Sequence, residues 1–151
     1  EMKYEKNKRK YMTLAKLADS KFLISQKKDF CYILELANTL TELTEELTDN
    51  LIFKFIDSDN SEQGTNIAKF NELYDLLSTD VGRAELAARL LLKKSMDTRV
   101  VYEKQDSYIW NRSKGVITLG DSYSEAVQFL LNPKKEGFVA ELESEIKAKI
   151  R

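Results

Sequence analysis

The chain of 151 residues has no histidine, one cysteine, one proline and five glycines. Without histidine there is no imidazole-based nucleophile triad and no zinc site built on imidazole. One cysteine, Cys31, leaves neither an intramolecular disulfide nor a thiolate cluster. So few glycines and prolines argue against a turn-rich all-β protein, and a chain 42% hydrophobic and 32% charged is too apolar for a disordered tail. No run reaches the roughly 18 apolar residues that cross a bilayer, and the basic start lacks the apolar stretch of a signal peptide. The chain therefore reads as cytoplasmic, with a natural start at Met2. Neither a Gly-x-x-x-x-Gly-Lys-Ser/Thr loop nor a Gly-x-Ser-x-Gly elbow occurs. Carboxylate neighbours such as Glu45 with Glu46 and Asp57 with Asp59 have no apolar pocket to shift their pKa. No enzyme, cofactor, metal or membrane partner is expected.

What is present is segregated charge. Residues 1–28 hold nine Lys/Arg against three acids, and residues 29–80 hold two against twelve. Residues 81–104 carry six against three, and the remainder is balanced at seven each, so a net charge of −1 conceals a basic arm beside an acidic segment. The spacing predicts a basic amphipathic helix over about 4–20 with Tyr11, Leu14, Ala15, Leu17 and Ala18 on one face. A second, long helix capped by Asp29 is predicted from the stripe Phe30, Ile33, Ala37, Leu40, Leu43, Leu47 and Leu51. Cys31 falls in this apolar run and reads as a buried, inert thiol. The loop 57–64 places Asp57, Asp59 and Ser61 at alternate positions like a calcium loop. Glu62 stands where that loop needs glycine and Ala68 where it needs a bidentate glutamate, so a surface turn is expected. Helices follow over about 66–77 and from a cap at Ser78, Thr79 or Asp80 to about Ser95.

After Met96 the period changes. Residues 98–103, 107–111 and 115–119 are short runs rich in β-branched and aromatic residues, separated by turn chemistry, and predict an antiparallel meander. Two helices close the chain, over about 122–131 and after Pro133. The expected fold class is α+β, mainly α: a helical body over 1–96 with a basic arm, then a strand-and-helix lobe over 97–151.

Residues 107–151 carry an aromatic strand Tyr108-Ile109-Trp110, a turn with Lys114-Gly115, the step Leu119-Gly120, then Ala126-Val127-Gln128-Phe129-Leu130 and Asn132-Pro133 before a charged amphipathic helix. In this they resemble the C-terminal lobe of the RecA recombinase family, without that family's ATPase core. Asp121 is acidic where the family is basic, and Ser122 or Tyr123 replaces a second glycine. The resemblance implies a lobe that guides DNA by basic residues around the strand turn, and Lys114 holds that position here.

Two functions follow as expectations. The first is a non-enzymatic nucleic-acid accessory protein, binding phosphates through Lys6, Lys8, Arg9 and Lys10 of the arm and Arg99, Lys104, Arg112 and Lys114 of the meander. Tyr108 or Trp110 would stack on a base, unless Trp110 anchors the meander to the last helix. The second is a protein-interaction module, docking on a partner or on itself through the acidic or apolar helix face.

Overall fold

The computed structural model describes the backbone of residues 2–37, 43–59 and 64–150, and side chains from Asn7 onward. Among the described residues there are seven α-helices and one three-stranded antiparallel sheet, an α+β and mainly α fold with two helices after the sheet. The chain divides into two compact units, Glu1–Ser78 and Thr79–Arg151.

The first unit holds α1 (Met2–Ala15), α2 (Ile24–Ile33), α3 (Glu45–Asp57) and α4 (Thr65–Leu76), with a 3-10 turn, Lys16–Ala18, after α1. Its core is built on rings. Phe30 and Phe70 are fully buried and meet edge to face at 5.6 Å between centroids, while Phe22 meets Tyr74 the same way at 5.3 Å. Such pairs add about 0.5–1.5 kcal/mol beyond the area they bury. From α3, Thr48, Ile52 and Ile56 recur every four residues and bury completely, as one helix face should.

The long helix expected from Phe30 to Leu51 is two helices. Asp29 lies inside α2, which starts at Ile24 with Leu23 as its N-cap residue. At its other end α2 closes in a Schellman motif: Glu35 turns left-handed at φ 59° and its N–H donates to the Tyr32 carbonyl, while Leu36 N–H donates to the Cys31 carbonyl. A fresh start then makes α3. Thr44 Oγ1 accepts Leu47 N–H at 3.1 Å, and Glu45 and Glu46 occupy the first turn, where carboxylates complement the helix dipole. Leu40 and Glu42 lie outside the described residues. Leu47, expected on the buried stripe, is 45% exposed because Thr48, Ile52 and Ile56 set the inner face.

Cys31 is fully buried with its Sγ facing the Thr48 carbonyl, and burial, then the Asp49 charge, push its thiol up to about 11. In the loop that resembles a calcium site, Asp59 is buried and its Oδ2 accepts Ile67 N–H at 2.9 Å, satisfying the first turn of α4. Ser61 and Glu62 lie outside the described residues.

The second unit runs α5 (Asp80–Asp97), β1 (Val101–Lys104), β2 (Ser107–Arg112), β3 (Gly115–Gly120), α6 (Tyr123–Leu131) and α7 (Glu136–Ile150). Thr79 caps α5 by accepting Gly82 N–H, and Ser122 caps α6 by accepting Glu125 N–H. The strands pair in the order β1-β2-β3. Lys104 opposes Ser107 across a two-residue turn in which Gln105 and Asp106 both have positive φ, the signature of a type I′ hairpin. Arg112 opposes Gly115 across Ser113-Lys114. Gly120 joins β3 to α6, where a Cβ would stand 2.6 Å from the Ala126 nitrogen, so no side chain fits. Ala88 and Leu92 of α5 share one core with Val101, Trp110, Ala126 and Leu142. For that reason α5 goes with the sheet, and the units part at Ser78/Thr79 instead of at 96/97.

Candidate nucleic-acid interface

The basic arm is the N-terminal part of α1, and the structure turns much of it onto its own unit. Lys10 Nζ donates to the Asp57 carbonyl at 2.7 Å, the last residue of α3, and lies 3.9 Å from Asp57 Oδ1. A cation there satisfies a carbonyl that the helix end leaves open and complements its negative pole. Arg9 reaches α4: a Cβ at Gly64 would lie 3.1 Å from Arg9 Nη1 and 3.8 Å from Asp59 Oδ2. Lys8 is exposed, and the side chain of Lys6 lies outside the described residues. Beyond the arm, Lys16 Nζ donates to Asn71 Oδ1, and the buried Lys27 pairs with Asp49 at 2.9 Å.

In the second unit, Trp110 is fully buried and is no stacking platform. Its Nε1 donates to Glu145 Oε2 at 2.7 Å, and its ring meets Phe138 edge to face, so it ties β2 to α7. Tyr108, the other ring expected to stack, is 8% exposed. Arg112 is committed as well. Its Nε and Nη2 grip Glu141 at 2.6 and 3.1 Å, and its guanidinium carbon sits 5.2 Å from the Trp110 ring and 5.1 Å from the Phe138 ring. A bidentate pair packed against two aromatic rings is a structural clamp, not an open phosphate contact. The Arg112 bond holds the Glu141 carboxyl below the usual carboxylate range and raises the guanidinium in turn.

Three meander cations remain exposed: Arg99 at the end of α5, Lys104 at the β1–β2 turn and Lys114 at the β2–β3 turn. The two turns stand at opposite ends of the sheet, roughly 20 Å apart along a six-residue strand. Between them lies the outer sheet face. Because successive residues alternate, Val101, Tyr108 and Trp110 point into the core and Tyr102, Ile109 and Asn111 point away from it. Tyr102 is 43% exposed and sits in register with Ile109 and, beyond it, Thr118; Val116 is exposed on the same face. Tyr102 was missed at the sequence level. The signal was present, since a two-residue turn at Gln105-Asp106 pairs Tyr102 with Ile109 and so sets it opposite Tyr108 and Trp110.

Among the described residues no group of three or more Cys, Asp or Glu side chains could hold a metal ion, and no helix is long and apolar enough to cross a membrane. The outer face therefore offers an exposed phenol, a methyl-rich floor from Ile109 and Val116, and ammonium groups at either end. Those are groups for stacking and charge contact. Comparison with protein-family models, with curated proteins and with solved structures found no match to this chain.

Proposed function

We propose that this chain is a non-enzymatic nucleic-acid accessory protein that lays a single strand across the outer face of its sheet. The observation that carries the reading is Tyr102, an exposed aromatic on an open three-stranded sheet with a lysine at each hairpin tip. Bases stack on Tyr102, and Lys104 and Lys114 meet phosphates before and after it. The resemblance of residues 107–151 to a recombinase lobe that guides duplex DNA makes the duplex the natural competitor. A single, buried cysteine suits action in the cytoplasm, where disulfides are rare.

Fluorescence anisotropy with labelled single-stranded DNA, single-stranded RNA and duplex tests this at low salt. Single strands are expected to bind in preference to duplex, and Tyr102→Ala to weaken them about tenfold, the value of one base stacked on an aromatic ring. The emission of Trp110, the one tryptophan, checks that the variant is folded. Absence of binding at low salt, or full binding by Tyr102→Ala, overturns the reading.

A second reading, docking of another protein on the first unit, is favoured by one observation. Lys8, Tyr11, Met12 and Ala15 are all exposed on α1 at helical spacing, with Tyr11 at 69% and Met12 at 62%. The expected inner stripe of α1 is thus partly turned outward. Light scattering of the wild type and of Tyr11→Ser with Met12→Gln tests its self-associating form: a strict monomer at high concentration removes it.

A further inference from the structure

We infer that the cleft beside the start of β1 takes the terminal phosphate of a nucleic-acid strand, a proposal that rests on the sheet-face reading above. The cleft has a volume of about 430 Å³ and is lined by Arg99, Val100, Asn111, Glu145, Ala148 and Lys149. It brings a guanidinium, an ammonium and a carboxamide to one place, with one carboxylate beside them. No ion pair among the described residues engages Arg99 or Lys149.

The end of a strand suits this set better than its middle. Arg99 and Lys149 outweigh Glu145 by one positive charge, and a phosphate monoester, at about −1.5 to −2 charges at neutral pH, is drawn to a net positive cleft more strongly than an internal diester, which carries one. The Arg99 fork can hold two of its oxygens and Asn111 can donate to a third. Glu145 is the carboxylate of the cleft. Its Oε2 is occupied by the Trp110 indole, leaving the other oxygen to accept from the amino group of the terminal base. Lys147 offsets the negative pole of α7, which would otherwise repel an anion, and leaves Lys149 to the cleft.

Two further observations place the ligand. Asn111 belongs to the outer sheet face, in register with Val116, so a strand crossing Tyr102 runs toward the cleft. Arg99 also stands on strained backbone. It has φ 63° and is the left-handed residue of a second Schellman motif, its N–H donating to Met96 and Val100 N–H to Ser95. Glycine serves that conformation better, so the side chain gains nothing for the fold by being there.

The test measures anisotropy for one single-stranded oligonucleotide made with a 5′-phosphate, a 3′-phosphate or hydroxyls at both ends. One phosphorylated form is expected to bind about tenfold more tightly than the hydroxyl form. In Arg99→Gly and in Lys149→Ala that ratio should fall to about one. Arg99→Gly relieves the left-handed strain and should melt no lower than the wild type, so a lost preference is not lost folding. Equal binding of all three oligonucleotides by the wild type, or a preference that survives both substitutions, overturns the end-group site and leaves the sheet face standing. Failure of every oligonucleotide to bind overturns both.

Discussion

Trp110 and Arg112 are the two meander residues whose chemistry most suggests nucleic acid, and each is held by a glutamate of α7. Indole and guanidinium are amphipathic groups: they bury a broad flat face and need a polar partner at the edge. Glu145 and Glu141, one helical turn apart, supply both partners, and Phe138 closes the stack from one turn earlier. Residue type was legible in the sequence, while the partner 29 or 35 positions away was not. The clamp has a pH signature. Arg112 depresses the folded-state pKa of Glu141, so its stabilisation is present above the unfolded carboxylate pKa of about 4.3 and is lost as pH falls through the lower folded value. Glu141→Gln should therefore melt below the wild type at pH 7, with the gap closing below about pH 4. A gap that persists unchanged at pH 3 would mean that the ion pair is not what Glu141 contributes.

At the level of elements, the meander and the two closing helices were legible because their signals are local. β-branched runs, two-residue turns, the Thr79 and Ser122 caps and Pro133 each act within a few residues. The break between α2 and α3 was hidden by a regular apolar stripe. Periodicity reports which residues are apolar, not whether one helix carries them all, and the quieter signal was Thr44 followed by two glutamates. No glycine announces the end of α2 or of α5, since Glu35 and Arg99 take the left-handed position in its place. A left-handed non-glycine residue costs about 1–2 kcal/mol, against roughly 0.5–1 kcal/mol for the extra chain entropy of glycine. Glu35→Gly should accordingly be more stable than Glu35→Ala, which loses the same side chain, by about 0.5–1 kcal/mol in urea denaturation, and Glu35→Val should be less stable than either. A glycine variant that unfolds no later than the alanine variant would refute the strained helix end.

Over the whole molecule, the charge blocks read from the sequence do not map onto the two units. The basic arm and the acidic segment are halves of the first unit, joined by Lys10 with Asp57 and Lys27 with Asp49, and residues 1–78 together hold 11 Lys/Arg against 14 acids. Residues 79–151 hold 13 against 11. On the proposed sheet-face reading, the cations that meet a polyanion are those of the second unit, a distinction that net charge per segment could not make before the folding partners were known. It has a thermodynamic measure. Each phosphate neutralised on a single strand releases condensed counterions and steepens the fall of log affinity with log salt by about 0.7. With Lys104 and Lys114 each on one phosphate and Arg99 with Lys149 on the terminal one, the slope for an end-phosphorylated single strand should be about −2.1. Lys114→Ala should flatten it by about 0.7, whereas Lys8→Ala on the arm should leave it unchanged. If Lys8→Ala flattens the slope as much as Lys114→Ala does, the strand runs over the first unit, and the sheet is not where it binds.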